Sequence, residues 1–451
     1  MSTNYIPADR NTLYLFPPSV QDWLPEDHMA RFVVDIVAQL DLHPIVSRYG
    51  GRGSKAYHPQ ILLALLFYGY ATGIFSSRKI EQATYDSVAF RYIAANTHPD
   101  HDTIATFRKR FLKELKPLFV QILIIAKEIG MLKLGKVSLD GTKVKANASQ
   151  HHALSWKHAC RIEKQLQEEV EELMRLGQQA DCTELHEGLN IPQELARRQD
   201  RLEAIMVAKE KIKQRADERY CRELQKYEQK VTARKEKSAK TGKKPRGPKP
   251  KPPTSGPSNK DQVNLTDEES RIMPSGKSFV QAYNAQAGVD LDSMLIVSSH
   301  ISQSPNDKQE IEPTLEALTS LPETVGEVNT LIADSGYFSE ANVETCTETN
   351  IEPLIAIDRQ KHHQTLQERF GYPEPLPDNA GPVDSMRHRL KTTEGRRLYG
   401  KRKSTVEPVF GIIKEVMGFR QFQLRGFEAV SGEWILASIA WNLKRMFALS
   451  G

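Results

Sequence analysis

The stretch VSLDGTKVKANAS, residues 137–149, places a carboxylate where an apolar run ends. Val137 and Leu139 alternate with Ser138, which is the two-residue period of a strand with one buried face. Asp140 follows at once, and a charge at the tip of a buried strand requires a partner or a metal ion, because its desolvation alone is costly. Asp-Gly is also a common hairpin signal. A turn residue and a metal ligand are therefore two interpretations of Asp140.

Length and composition indicate a globular protein with more than one domain. The chain has 451 residues, of which 39% are hydrophobic and 26% charged, and this length predicts about two or three domains. The longest apolar run, ILLALLF at 61–67, is shorter than the roughly 20 residues of a membrane span. The first ten residues lack a signal-peptide pattern, so we expect a cytoplasmic protein with no membrane partner.

The cysteines give no sign of a disulfide framework or a zinc site. Four are present, far apart in the chain and without a CxxC pair, which favours reduced thiols. They are Cys160, Cys182, Cys221 and Cys346.

Residues 1–130 have the periodicity of helices. Apolar residues recur three and four positions apart in HMARFVVDIVAQLD, PQILLALLFYGYATG and SSRKIEQATYDSVAFRYIA. The next segment, TIATFRKRFLKELK, predicts another helix, with Asp102 or Thr103 placed to cap it. Two short helices with a basic second one are compatible with helix-turn-helix DNA recognition, and equally with a structural bundle.

Basic residues are concentrated in three runs, although the formal net charge is only +5. The runs are FRKRFLKELK at 107–116, TARKEKSAKTGKKPRGPKPKPP at 232–253 and GRRLYGKRK at 395–403. Nucleic-acid-binding proteins group their Lys and Arg in this way. A single basic run is nevertheless more often solvated surface.

A long charged insertion interrupts one α/β pattern. Residues 156–236 are rich in Glu, Lys, Gln and Arg with narrow apolar stripes, which predicts a helical hairpin or antiparallel coiled-coil arm interrupted near GLNIPQ. The Pro-, Gly- and Lys-rich stretch after it predicts a disordered or extended linker. We therefore place an insertion at residues 151–272 within a domain of residues 131–450.

Strand and helix patterns resume after the insertion. SFVQAYNAQAGVD and MLIVSSHIS predict two strands, and a helix, the strand NTLIAD, a short helix and the strand EPLIAID follow. A polar loop from 359 to about 395 then precedes two closing helices. Together with the strand in residues 131–149, this order predicts a mixed α/β domain.

Two further acidic residues stand out in this domain. Asp334 ends the apolar strand LIAD, and two strand-end carboxylates at one sheet edge repel each other unless a cation bridges them. Glu407 lies on the helix KSTVEPVFGIIK, where Lys403 and Lys414 share its face. A salt-bridged surface helix is the alternative interpretation of Glu407.

The motifs VSLDGTKVKANAS, LIADSGYFS and RKSTVEPVFGIIK, in this order and separated by a long insertion, resemble the DDE transposases of bacterial insertion sequences. The resemblance covers most of the chain apart from the insertion. It implies an α+β, or mixed α/β, architecture in which a helical, DNA-binding domain at residues 1–130 precedes a ribonuclease-H-like mixed-sheet catalytic domain.

Carried onto this sequence, the catalytic and metal-binding triad of the family falls on Asp140, Asp334 and Glu407. Oxygen ligands suit Mg²⁺ or Mn²⁺. We expect two ions, one activating a water or a 3′-hydroxyl and the other stabilising the leaving oxygen.

The family signature Tyr-x2-Arg-x3-Glu-x6-Lys is matched only in part. Tyr399 and Arg402 keep their mutual spacing and Lys414 fits, but four residues instead of three separate Arg402 from Glu407. Either Arg402 or Lys403 therefore takes the position of the family Arg.

Several side chains are expected to contact DNA, and Gly141 is expected to let the DNA backbone approach Asp140. The expected contacts are Arg78, Lys79, Arg108, Lys109 and Arg110 in the N-terminal helices, Lys143 and Lys145 after Asp140, and Tyr399, Arg402, Lys403 and Lys414 around Glu407.

The function implied by the resemblance is that of a transposase. Such an enzyme binds the terminal inverted repeats of its element, cleaves DNA there with the help of a metal ion, and joins the freed 3′-end to target DNA. A homodimer is expected in the synaptic complex that holds two ends. A structure-specific nuclease with the same fold and a catalytically inactive DNA-binding protein are the alternatives.

Overall fold

The computed structural model describes residues 19–49, 56–179, 190–241, 247–276, 278–357, 375–376 and 380–451. The chain divides into two compact units. Met1–Ala146 and Ala282–Gly451 form the core unit, and Asn147–Gln281 form the insertion unit. The insertion unit contains all of the predicted insertion, residues 151–272.

Short helices make up the N-terminal part of the core unit. The most apolar of these helices, Pro59–Thr72, is buried on nearly all sides, because it packs against both the first helix and the last helix of the unit. The helices are α1 (Met29–Gln39), α2 (His43–Val46), α3 (Pro59–Thr72), α4 (Ser77–Asp86), α5 (Val88–Ile93), α6 (His101–Arg110) and α7 (Leu115–Glu128), after a 3₁₀ helix at Val20–Trp23.

Two segments predicted as single helices are each divided in the structure. Ser87 adopts an extended conformation between α4 and α5. The basic segment breaks after α6, where Phe111 leaves the helical conformation and its ring is buried. Asp100 caps α6, accepting from Thr103 N at 2.8 Å, so the prediction of a cap at Asp102 or Thr103 was wrong by two or three positions.

No single helix in the described ranges is long and apolar enough to cross a membrane. Within those ranges α3 and α4 together have the length and composition of a span, but they meet at a bend of 95°.

Paired helices form the arm of the insertion unit. α8 (Trp156–Gln179) packs on α9 (Ile191–Thr241) in antiparallel fashion through buried Leu166, Ile205 and Ile212, and Arg198 pairs with Glu169 at 2.7 Å. The apolar stripes thus find their partners within one chain, as burial of narrow stripes requires. The other elements are β2 (Ala153–Ser155), β3 (Gln262–Asn264) and β4 (Arg271–Ser275).

The base of the arm is closed by antiparallel pairing of β2 with β3. Arg219 on α9 also binds both carboxylate oxygens of Asp261 at 2.7 and 2.8 Å. Of the predicted linker, residues 247–261 have no regular secondary structure, and residues 242–246 lie outside the described residues. The predicted break near GLNIPQ also falls largely outside them, and α9 begins at its Ile191.

A mixed sheet forms the centre of the core unit. In the described part of the chain this sheet has six strands: β5, β1, β7 and β8 are neighbours in that order, and β4 and β6 both pair with β5. β1, β5 and β6 are antiparallel to their neighbours among these three, and β7 and β8 run parallel to β1. The predicted fold class, α+β with a ribonuclease-H-like mixed sheet, is confirmed. The strands are β1 (Lys136–Lys145), β5 (Ser278–Asp290), β6 (Ile296–Ser302), β7 (Thr330–Ala333) and β8 (Glu352–Ile355).

Helices pack around this sheet, and two of them occupy part of the predicted polar loop. That loop was expected from 359 to about 395, but the chain is helical from Pro382, where Met386 is buried beside Ile355 N. The helices are α10 (Ile311–Thr319), α11 (Glu340–Glu348), α12 (Pro382–Lys391), α13 (Thr393–Gly400), α14 (Val406–Gly411) with a π-helical turn at Ile412–Val416, and α15 (Phe427–Ser450).

A buried polar network joins the N-terminal helices to α15. Arg108 on α6 donates to the Tyr70 hydroxyl at 3.0 Å, and this hydroxyl donates to Glu433 on α15 at 2.8 Å. Glu433 also accepts from the backbone N–H groups of Gln423 and Leu424. A buried carboxylate is tolerated when it is paired and hydrogen-bonded in this way.

The strand register predicts that the core unit folds without the insertion unit. Lys145 and Ala282 are direct partners in the β1–β5 ladder, so a two-residue Asn-Gly turn can replace residues 146–281. We expect the shortened chain to unfold cooperatively, with a melting temperature within about 5 °C of that of the full chain. Calorimetry of both chains measures this, and a non-cooperative transition in the shortened chain would contradict it.

Candidate active site

The two strand-borne aspartates lie at matching positions on adjacent strands. In the parallel pairing of β1 with β7, Ser138 is opposite Ile332, and Asp140 and Asp334 each follow two residues later. Asp140 is also paired with Ala287 in an antiparallel ladder that continues to Lys145. Asp140 therefore lies within a central strand, and the interpretation of Asp-Gly as a hairpin turn was wrong.

Backbone donors fix one oxygen of each aspartate. Asp140 Oδ1 accepts from Gly141 N at 2.8 Å. Asp334 caps the 3₁₀ turn Ser335–Tyr337, and its Oδ1 accepts from Gly336 N at 2.8 Å. Hydrogen bonds to a carboxylate stabilise its charged form and set its orientation.

Arg402 links Asp140 to Glu407. One guanidinium nitrogen lies 3.2 Å from Asp140 Oδ2 and another lies 3.1 Å from Glu407 Oε1. The Arg402 side chain is only 11% exposed, whereas Lys403 is exposed. Arg402, not Lys403, thus meets the carboxylates, because the 3₁₀ helix Lys401–Ser404 accommodates the extra residue of the signature.

Lys414 holds the helix that carries Glu407 against β1. Its ammonium group donates to Thr142 Oγ1 at 2.5 Å and to the carbonyl oxygen of Lys143 at 2.9 Å. Burial lowers the pKa of Lys414. In this structure Lys414 is engaged with the sheet, so its expected contact with DNA would require these bonds to break.

Burial and like charges act together on Asp140. Burial, with the charges of Asp334 and Asp307, raises its pKa, the Gly141 N–H and Arg402 lower it, and the pKa that results is about 6. A carboxylate held in this way is a candidate for cation binding, because a positive charge relieves both effects.

The expected DNA contacts fall into exposed and engaged groups. Arg108 is buried in the network with Tyr70, so we leave it out of the proposed contacts. Lys143 is 17% exposed and pairs with Asp307. Tyr399 is half-buried, hydrogen-bonded to Arg402, and its pKa is raised by burial. The exposed group consists of Arg78, Lys79, Lys109, Lys145 and Lys403. Arg110 is exposed as well but is also engaged, since it donates to the Arg48 carbonyl oxygen at 3.0 Å.

Gly141 makes room for the protein's own side chains. A Cβ atom at this position would lie 2.2 Å from Gln286 Nε2 and 2.8 Å from Asp307 Oδ1. We predicted a glycine at position 141 to let a DNA backbone approach, but contacts with the protein's own side chains are sufficient to require it.

Sequence reasoning missed three polar residues on the other side of Gly141. Asp307, in the loop between β6 and α10, accepts from Asn284 Nδ2 at 2.7 Å and from Gln286 Nε2 at 2.8 Å. Asn284 and Gln286 are fully buried in β5. The available signal was their alternation within YNAQAGVD, since amides at buried strand positions need specific partners.

The chemistry of the site fits a hard divalent cation. Its donors are carboxylates, which suit Mg²⁺ or Mn²⁺ rather than Zn²⁺. In the described ranges, no three His, Cys, Asp or Glu side chains are close enough together to hold an ion, and the Arg402 guanidinium lies between Asp140 and Glu407. Asp140, Asp334 and Glu407 remain the metal ligands predicted from the family resemblance. Cys160, Cys221 and Cys346 are free thiols, and Cys182 lies outside the described residues.

The raised pKa of Asp140 predicts that Asp140→Asn stabilises the protein above pH 6 in the presence of EDTA. The folded-state pKa of about 6 exceeds the ordinary 3.8, so the contribution of Asp140 to stability is complete below about pH 4 and is lost as the pH rises through 6. The difference is on the order of 2–3 kcal/mol.

Thermal unfolding at pH 8 and pH 4 measures this effect. Asp140→Asn should raise the melting temperature at pH 8 and change it little at pH 4. Asp292→Asn, at a carboxylate that is 69% exposed, is the control and should show no such pH dependence. Equal effects of Asp140→Asn at both pH values would refute the electrostatic argument.

Two family models match the chain. One, described as a transposase DDE domain, matches residues 246–443, and another, described as a transposase domain (DUF772), matches residues 18–110. The first match contains Asp334 and Glu407, whereas Asp140 precedes it, beyond the insertion. Comparison with curated proteins and with solved structures gave no match. Together with the ribonuclease-H-like sheet, these matches show that the chain belongs to the DDE transposases of insertion sequences.

Proposed function

We propose that this transposase binds the ends of its insertion sequence, cleaves DNA there, and joins the freed 3′-ends to target DNA, with Asp140, Asp334 and Glu407 as catalytic residues. The observation that carries the proposal is the matching position of the two aspartates on β1 and β7, with Glu407 tied to Asp140 through Arg402. DDE transposases generally use divalent metal ions, and acidic residues at all three positions argue against an inactive core.

The chain's own residues would orient the carboxylates and the DNA. Backbone N–H groups fix one oxygen of each aspartate, and Arg402 aligns Asp140 with Glu407. Lys145 and Lys403 are exposed and available for phosphate contacts. Mg²⁺ or Mn²⁺, two ions in the proposal, supplies Lewis-acid stabilisation of the attacking and leaving oxygens when bound.

The proposed partners are the terminal inverted repeats, target DNA and a second copy of the chain. The exposed residues Arg78, Lys79, Lys109 and Arg110 support a role of the N-terminal helices in DNA binding. A dimer follows from the need to hold two DNA ends at once. An enzyme of this kind works on the chromosome, so the expected cytoplasmic, nucleoid-associated location rests on the same proposal.

Removal of any one of the three acidic residues should abolish catalysis. Asp140→Ala, Asp334→Ala and Glu407→Ala each remove a proposed metal ligand, so we expect cleavage to fall by at least about a thousandfold while binding of the DNA ends persists. The substrate is a duplex carrying the inverted repeat that flanks the gene, incubated with Mg²⁺ or with Ca²⁺.

Glu415→Gln is the matched control for this experiment. Glu415 lies in the turn that continues α14 and its side chain is 63% exposed, so the variant should cleave like the wild type. Full activity of any triad variant would refute the assignment. Cleavage without joining to target DNA, in the wild type, would favour a structure-specific nuclease.

The exposed basic residues of α4 and α6 should set the salt dependence of end binding. Arg78→Ala, Lys79→Ala and Lys109→Ala should each flatten the slope of log affinity against log salt by about one unit, because one phosphate contact is lost. Binding titrations at several salt concentrations measure the slope. Lys133→Ala, at an exposed lysine before β1, is the control. Unchanged slopes in all three variants would favour a purely structural role for these helices.

A further inference from the structure

Asp307 lies beside two glycines that closely follow the two aspartates in the chain. Gly141 directly follows Asp140, and a Cβ atom on Gly141 would lie 2.8 Å from Asp307 Oδ1. The Gly336 N–H donates to Asp334 Oδ1, and a Cβ atom on Gly336 would lie 3.8 Å from Asp307 Oδ2. The Asp307 carboxylate therefore reaches the site through the space that the two glycines leave open.

Buried amides hold this carboxylate in one orientation. Asn284 and Gln286 both donate to Oδ1, and Lys143 approaches the same atom at 3.5 Å. The Tyr337 hydroxyl donates to Gln286 Oε1, which leaves Gln286 Nε2 as the donor to Asp307. In the described part of the chain all three groups that engage Asp307 do so at Oδ1. Oδ2 is the oxygen on the side of Gly336.

Loop structure does not account for this arrangement. An Asp ahead of a helix ordinarily caps it by accepting from backbone N–H groups. The cap of α10 is Glu310, whose side chain makes no capping bond. Among the described residues, the Asp307 side chain bonds to other side chains across the sheet and not to the backbone of its own loop.

An unpartnered oxygen beside Asp307 points to a ligand. Asn284 is fully buried, and its Oδ1, on the carboxamide whose nitrogen donates to Asp307, has no partner among the described residues. A buried acceptor without a donor is costly. In addition, the carboxylates of Asp140, Asp307, Asp334 and Glu407 outnumber the basic side chains paired with them, Arg402 and Lys143.

We propose that Asp307 is a fourth acidic ligand of the divalent-cation site, positioned by Asn284 and Gln286. Asp307 would hold the cation through Oδ2 together with Asp140 and Asp334, and Asn284 Oδ1 would accept a hydrogen bond from water in the same site. The inference rests on the proposed function, because it extends the same metal site.

Metal binding by the full-length chain, without DNA, tests this proposal directly. Mn²⁺ is the probe, and its affinity is measured by calorimetric titration or by electron paramagnetic resonance. Asp307→Asn keeps an oxygen that accepts from Asn284 and Gln286 but removes the charge, so we expect Mn²⁺ affinity to fall about tenfold or more. The Mg²⁺ concentration that gives half-maximal DNA cleavage should rise by a similar factor.

Glu312→Gln provides the matched control, since it removes an exposed carboxylate from the first turn of α10. Its Mn²⁺ affinity should equal that of the wild type. Wild-type affinity in Asp307→Asn would overturn the proposal. If Asp307→Asn loses cooperative unfolding, Asp307→Glu decides the question, because it keeps the charge but shifts the carboxylate. A changed Mn²⁺ affinity of Asp307→Glu supports Asp307 as a ligand, and an unchanged Mn²⁺ affinity overturns the proposal.

The two proposals fail in different ways. Wild-type protein that cleaves DNA, together with an Asp307→Asn variant of unchanged Mn²⁺ affinity, refutes the role of Asp307 alone. Wild-type protein that binds Mn²⁺ through Asp307 but cleaves no DNA refutes the proposed function alone. Wild-type protein that binds no Mn²⁺ overturns the role of Asp307, and it overturns the proposed function as well if it also cleaves no DNA.

Discussion

Parallel pairing of β1 with β7 places two like charges at matching positions on adjacent strands, and much of the surrounding structure compensates for that repulsion. Asp140 and Asp334 each receive a backbone N–H, and Arg402 adds a positive charge between Asp140 and Glu407. The helix carrying Glu407 is in turn fixed to β1 by Lys414. Charge compensation therefore links a strand, a loop and a late helix that are far apart in the sequence.

The strands beside the two aspartates, and their order, could be predicted from the sequence because a two-residue period of apolar residues is a local pattern. The end of β7 before Asp334 was also visible, but the end of β1 was not, because β1 continues past Asp140 to Lys145 through its pairing with β5. Glu407 required the family resemblance, because a helical Glu between lysines is typical of any surface helix. The helix at Pro382 was missed because few apolar residues mark it.

Residues whose roles depend on tertiary contacts could not be predicted in the same way. Arg108 lies in a basic run, and nothing local distinguishes it from the exposed Lys109 and Arg110. Its burial follows from the position of Tyr70 and Glu433, which are distant in sequence. Asp307 is a comparable case, because an Asp in a polar loop gives no sign that two buried amides of β5 will hold it.

The place of the insertion follows from the geometry of the β1–β5 hairpin. Lys145 and Ala282 are ladder partners, so the chain leaves and re-enters the core unit at points that a short turn also joins. Closing a longer loop adds only about 0.6 kcal/mol for each doubling of its length, and the insertion unit has its own apolar core to offset that cost. Several residue pairs between β1 and β5 lie between Asp140 and the end of β1 at Lys145. These pairs fix the position of Asp140 in the sheet, whatever segment follows β1. The positions of Asp140 and Asp334 therefore depend on the pairing of β1 with β5 and β7, and not on the sequence of the charged arm.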